Sequence, residues 1–157
     1  MKPVYRGEPN GRGRRIAVVA SRYNTGIVEK LVEGAVESLQ SHGVMEADRV
    51  VVWVPGAWEI PFAVRRLADA GGWDGFVALG AILQGQTTHH EHLGREVAAS
   101  LMHFMDESGL PAAFGVLTCD TEEKAYARAG GPKGHKGVEC VEAVLEALDV
   151  ADQLKRN

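Results

Sequence analysis

Two threonines, two glutamines and three histidines crowd the stretch Leu79–His92, LGAILQGQTTHHEH, where an apolar run breaks off at Gly85. Imidazole changes charge near neutral pH, so His89, at the junction of this loop with a predicted helix, is a candidate acid–base group. Thr87 or Thr88 suits the helix cap, and Gln86 and Thr87 stand where the unpaired backbone N–H groups of a helix start attract an anion. The combination predicts a phosphate-bearing substrate held beside a proton-transfer residue. A zinc site is the competing chemistry. However, HEHLG departs from HExxH because Gly94 occupies the place of the second histidine, and no third ligand follows at a recognisable spacing, so no metal is expected. His90 reads as a solvated residue of the first helical turn.

Further candidates arrive from other segments. Val54–Pro61, VPGAWEIP, brings Gly56, Ala57, Trp58 and Glu59 to the end of a predicted strand, and Tyr23 and Asn24 follow another strand. Two aromatic rings with a carboxylate and an amide can clamp a flat, hydroxyl-bearing heterocycle by stacking and hydrogen bonds. Trp58 also fits a core position and Glu59 a partner for the helix dipole, and the motif alone leaves both readings open. Arg128 and Lys136 flank Gly130–His135, which suits either a phosphate clamp or a solvated turn. Gly80–Thr87, GAILQGQT, imitates a P-loop, but Gln86 stands where the phosphate-reaching lysine belongs, which argues against nucleotide hydrolysis. Gly11–Arg15, GRGRR, precedes a strand instead of following one and is no dinucleotide fingerprint.

The elements that must position these groups are legible in the hydrophobic pattern. Phe76–Leu83 is a continuous apolar run, as in a strand buried on both faces of a parallel sheet. Arg15–Ala20, Arg49–Val54 and Ala113–Thr118 read as three more strands. Between them, Ile27, Leu31, Val32, Ala35 and Leu39 recur at helical spacing after a cap at Asn24 or Thr25, and Gly43 stops that helix. A second helix starts near Trp58 with Pro61 in its first turn. Others span Glu91–Glu107, Glu122–Ala129 and Val138–Leu154, with a glycine-rich connection over Gly130–Gly137. Alternating strands and helices predict a doubly wound, flavodoxin-like, four-stranded parallel sheet with helices on both faces, a three-layer α/β/α fold. Ligands then bind at the carboxyl edge of the strands.

The chain has 157 residues, 45% hydrophobic, and a formal charge of −4, which predicts a single domain over 1–157 with a polar arm at 1–14. The acidic balance gives no nucleic-acid footprint. No apolar run reaches the roughly 20 residues that span a bilayer, and the N-terminus lacks a signal-peptide core, so a cytoplasmic protein is expected. Cys119 and Cys140 follow no metal-ligand spacing and are expected to remain thiols.

In order along the chain, SRYN at 21–24, VPGAWEIP at 54–61, the GQTTH loop at 85–89, FGVLT at 114–118, ARAG at 127–130 and HKGVE at 135–139 resemble the lumazine synthase family. The resemblance covers nearly the whole chain. It implies the condensation of 5-amino-6-(D-ribitylamino)uracil with 3,4-dihydroxy-2-butanone 4-phosphate to 6,7-dimethyl-8-ribityllumazine, the penultimate step of riboflavin biosynthesis, with neither metal nor organic cofactor. It further implies that Tyr23, where the family usually has phenylalanine, stacks on the pyrimidine and that Trp58 fills a second aromatic position. Asn24, Ala57 and Glu59 would hold the ribityl chain and nearby polar atoms, and Ala81 and Ile82 would offer backbone groups to the ring. Gln86, Thr87 and Arg128 would bind phosphate, His89 would transfer protons and Glu139 would orient it. Phe114, Arg128 and Lys136 would come from the neighbouring subunit.

The resemblance also implies self-association as a pentamer or a shell of sixty chains, with the arm adding a strand near Val4-Tyr5 to an adjacent sheet and riboflavin synthase as a candidate partner. Lack of an insertion between Arg128 and Lys136 favours the shell. The chain departs from the family at Gln84, where arginine is common, at His90 and His92, often aromatic, and at Pro132 and His135 in the turn. Alternatives are an archaeal-type riboflavin synthase, disfavoured by the phosphate set and His89, and a non-catalytic flavin- or lumazine-binding shell or storage protein, disfavoured by His89 and Arg128. A flavodoxin-like binding module would need a Ser/Thr-rich phosphate loop where this chain has Ser21-Arg22-Tyr23-Asn24.

Overall fold

A computed structural model describes residues 2–156; Met1 and Asn157, the outer ends of the arm and the domain expected from the sequence, lie outside the described residues. The four apolar segments become β1 (Ile16–Ser21), β2 (Arg49–Val54), β3 (Gly75–Leu83) and β4 (Ala112–Cys119), all parallel, in the order β2-β1-β3-β4. They are joined and covered by α1 (Thr25–Ser41), α2 (Ile60–Ala70), α3 (His89–Ser108), α4 (Glu122–Ala127) and α5 (Lys136–Lys155). This is the parallel α/β architecture that the sequence predicts.

Alternation along the central strands explains why both faces need helices. Ile16, Val18 and Ala20 of β1 and Val77, Leu79 and Ala81 of β3 pack against α1 and α5 through Leu31, Ala35, Val141 and Leu145. The intervening residues Ala17, Val19, Phe76, Ala78 and Ile82 pack instead against α2 and α3 through Ile60, Val64, Val97 and Leu101. Every residue of β1 is buried, a state available only to a strand with apolar cover on both sides. Phe104 of α3 meets Phe76 edge-on with ring centroids 5.5 Å apart, an arrangement that puts the positive rim of one ring on the face of the other.

Several boundaries differ from the sequence reading, each for a local reason. Helix α3 begins at His89 instead of Glu91; Thr88 holds the cap position without a side-chain cap bond, and the preceding Thr87 hydroxyl accepts the His89 amide at 3.3 Å. Asn24 occupies the cap position of α1 but does not cap it, since its amide is committed to β3. The connection over 130–137 is shorter than expected: Ala129–Gly131 (β5) and Gly134–His135 (β6) pair as an antiparallel hairpin, α4 ends at Ala127, and α5 starts at Lys136. Gly130 and Gly134 have φ of 99° and 94°, values that glycine adopts without the Cβ penalty.

The arm runs along α5 of its own chain without forming a strand over 2–15. Asp149 accepts the Glu8 amide at 2.9 Å, the Gln153 side chain donates to the Arg6 carbonyl at 2.8 Å, and Arg14 pairs with Asp152 at 2.6 Å. No helix among the described residues is long and apolar enough to cross a membrane.

Candidate active site

Because all four strands run the same way, the loops after β1, β2, β3 and β4 gather at one edge of the sheet. The strand order reverses between β1 and β3, and the crevice opened by such a reversal is where open α/β sheets place ligands. A cavity of about 430 Å³ lies there, lined by Tyr23, Asn24, Ala57, Ala81, Ile82, Thr87 and His89 together with Leu83, Gly85, His90 and Leu93. One bond ties its two sides together: Asn24 donates from Nδ2 to the Ala81 carbonyl at 2.8 Å. Asn24 does so from left-handed backbone, φ 60° and ψ 47°, a conformation that asparagine tolerates better than most residues. Of the backbone groups that Ala81 and Ile82 are expected to offer, the Ala81 carbonyl already accepts this bond.

His89 is the first residue of α3, exposed, and its imidazole bonds to no side chain among the described residues. It is free to meet a substrate. His90, expected to be merely solvated, is half-buried and lines the cavity, its Nδ1 donating to the Thr87 carbonyl at 3.0 Å. Tyr23 is largely exposed at the rim, a flat surface without a stacking partner among the described residues.

A second cleft, about 560 Å³, opens beside the carboxyl end of β4 and holds Phe114, Arg128 and Lys136 with Thr118, Cys119, Asp120 and Lys124. Its charges are arranged in pairs with one cation left over. Lys124 meets Asp120 at 2.8 Å, a contact that holds the exposed Asp120 carboxyl below its usual range. Lys136 meets Glu139 at 2.8 Å, and that hydrogen bond raises the lysine above its ordinary value against a smaller opposing effect of partial burial. Lys136 therefore stays cationic through neutral pH, and the pairing is lost only as pH rises past the raised value. Arg128 donates to the Lys124 carbonyl at 2.9 Å and has no carboxylate partner among the described residues, so its charge is available to an anion.

The remaining expected residues line neither cleft. Trp58 is exposed over a separate hollow of about 240 Å³ formed with Pro61, Glu96, Val97 and Ser100. Glu59 turns back to accept the Gly56 amide at 3.0 Å, fixing the tight turn before α2. Gln86 is exposed in the loop. Glu139 is paired with Lys136 and does not line the cavity that holds His89. Cys140 is buried, which pushes its thiol up to about 11, and Cys119 is half-buried in the second cleft; both are free thiols. No group of three or more His, Cys, Asp or Glu side chains among the described residues is placed to hold a metal ion. Sequence reading missed the Asp120–Lys124 pair, whose signal was an i,i+4 acid–base spacing just past a predicted strand.

Comparison with known proteins bears on this arrangement. Residues 13–152 match the family model described as 6,7-dimethyl-8-ribityllumazine synthase. A protein of that name from Gemmatimonas aurantiaca is 47% identical over 149 residues, spanning 95% of this chain and 91% of its own. Another from Nitratidesulfovibrio vulgaris (strain Miyazaki F) is 42% identical over 148 residues, 94% of this chain and 95% of its own. One from Halorhodospira halophila is 43% identical over 141 residues, 90% of each chain.

The Asn24 clasp is open to test by stability. Asn24→Ala forfeits the bond to β3 and places an alanine in left-handed backbone, so it should destabilise the fold by about 1–3 kcal/mol in denaturant unfolding. Asn24→Gly loses the same bond without the backbone strain and should cost measurably less.

Proposed function

The chain belongs to the 6,7-dimethyl-8-ribityllumazine synthase family, and on that premise we propose that it condenses 5-amino-6-(D-ribitylamino)uracil with 3,4-dihydroxy-2-butanone 4-phosphate. The products are 6,7-dimethyl-8-ribityllumazine, phosphate and water, and the reaction is the penultimate step of riboflavin biosynthesis. The observation that carries this reading is the family match along residues 13–152, on a chain whose cleft at the sheet reversal already gathers Tyr23, Asn24 and His89. The names of the relatives favour it over an archaeal-type riboflavin synthase and over a binding or shell protein without turnover.

The reaction joins an aromatic amine to a ketone, expels water and phosphate, and protonates an enol on the way to ring closure. Each step moves a proton near neutral pH, and His89 is the group assigned to carry it. Tyr23 supplies a face for the pyrimidine, and Trp58 a second aromatic surface. Asn24, Ala57 and Glu59 hold the ribityl chain and adjoining polar atoms, with Ala81 and Ile82 presenting backbone to the ring. Gln86 and Thr87, at the start of α3, take the phosphate with Arg128.

Phe114, Arg128 and Lys136 sit in a different cleft from His89, so a site that uses both sets is built from two chains. The proposed assembly is therefore a ring of five, with Glu139 reaching the neighbour's His89. The short turn between Arg128 and Lys136 supports twelve such rings closed as a sixty-subunit shell. The arm over 1–14 adds a strand to an adjacent sheet in this scheme, riboflavin synthase is a candidate partner, and residues 1–157 act as one domain in the cytoplasm, without metal or organic cofactor.

Steady-state kinetics with both substrates test the assignments. His89→Ala should lower kcat by roughly 10²-fold while leaving measurable activity, the low end of what acid–base groups contribute. Arg128→Ala should mainly raise KM for the butanone phosphate, by about 10-fold or more, the loss expected for a charge-assisted contact. An unchanged His89 variant would remove that residue from the chemistry. Light scattering tests the shell: a mass near sixty chains is expected, and a mass of five would contradict it.

A further inference from the structure

His135 closes the β5–β6 hairpin and immediately precedes Lys136, yet neither cleft includes it. Its imidazole is keyed into a seat made by three glycines from three elements. A β-carbon at Gly34 of α1 would fall within the ring, against Cε1 and Nε2. One at Gly137 of α5 would lie 3.1 Å from Cε1, and one at Gly130 of the hairpin 3.1 Å from Cδ2. Nδ1 is buried without a hydrogen-bond partner among the described residues. The ring is thus held by shape, at the expense of a polar atom that finds no partner there.

What this seat controls follows from the hairpin bonds. The Lys136 amide donates to the Arg128 carbonyl at 2.8 Å, the Lys133 amide to the Ala127 carbonyl at 2.9 Å, and Ala129 pairs with His135. Arg128 and Lys136 therefore mark the two ends of the hairpin stem, and both line the second cleft. The stem is only a few residues long and lies outside the main sheet, so its orientation depends on what it rests against.

We propose that His135 is a positioning residue for anion binding: its ring, lodged against Gly34, fixes the hairpin so that the Arg128 charge is presented to the phosphate beside the Lys136–Glu139 pair. This rests on the reading that Arg128 receives the phosphate of the butanone substrate. A loosened hairpin should weaken that substrate selectively, because nothing in the His89 cleft is carried by β5 or β6.

The test compares the intact assembly of the wild type with His135→Ala, Gly34→Ala and the double variant, measuring KM for each substrate, kcat and the unfolding midpoint. Each single change should raise KM for the butanone phosphate by roughly tenfold, the size of a weakened charge-assisted contact, with KM for the ribitylaminouracil near the wild-type value. The double variant should recover most of the loss, because the methyl at position 34 occupies volume that the ring vacates. Should His135→Ala fail to fold, Gly34→Ala carries the same expectation alone, since it removes no group. Unchanged KM for the butanone phosphate in the single variants, with Arg128→Ala raising it, overturns the proposal alone. Unchanged KM in Arg128→Ala as well overturns the phosphate reading and the proposal with it. Equal losses in both KM values and in the unfolding midpoint, without recovery in the double variant, show a structural role only and also overturn it.

Discussion

Everything functional in this molecule depends on a sheet whose central strands are apolar on both faces. β1 and β3 can be buried only if helices cover each side, and that cover forces the parallel strands and their crossovers. Once the strands run one way, the loops that follow them share one edge. The order β2-β1-β3-β4 then separates the loops after β1 and β3, and the crevice between them receives Tyr23, Asn24 and His89. The Asn24 bond to the Ala81 carbonyl links the loop after β1 to the end of β3 at that crevice.

The same geometry divides the chemistry. The proton-transfer candidate and the aromatic face lie at the sheet reversal, whereas the cations lie beyond β4. In the second cleft Lys124 and Lys136 are each met by a carboxylate, and Arg128 is not. Net attraction for an anion thus rests on Arg128, with Lys136 held cationic beside it by Glu139. Neither half is a complete site for a reaction that needs both acid–base work and a phosphate anchor. A second copy of the chain supplies the missing half in the proposed arrangement.

The central strands β1 and β3 were legible because strands buried on both faces need unbroken apolar runs, the flanking β2 and β4 because they are short apolar segments bounded by turn residues, and the longer helices because one face of each is apolar. Local caps were less so. Asn24 has the composition of a cap, but its amide found a partner across the crevice that no local pattern reveals. The hairpin at 129–135 was hidden within glycines, whose sequence signals a turn without fixing whether strands flank it. Among the site residues, those following β1 and β3 could be placed together from strand order alone. Arg128 and Lys136 stood out only as cations flanking a glycine-rich turn, whereas Phe114 and Glu139 owed their assignment to the family resemblance, because hydrophobic periodicity assigns no role to a single exposed ring or carboxylate. His90 was underestimated, since a first-turn position does not disclose which side of the helix a neighbouring loop will cover.

Mixing subunits tests the central claim that the two clefts are halves of one site. His89→Ala and Arg128→Ala chains, each nearly inactive alone under low butanone phosphate, are unfolded together, reassembled and assayed for lumazine formation. If each site draws His89 from one chain and Arg128 from its neighbour, random mixing should restore about a quarter of the wild-type rate. A mixture that co-assembles yet shows no more than the averaged activity of its two parents would contradict a site shared between chains.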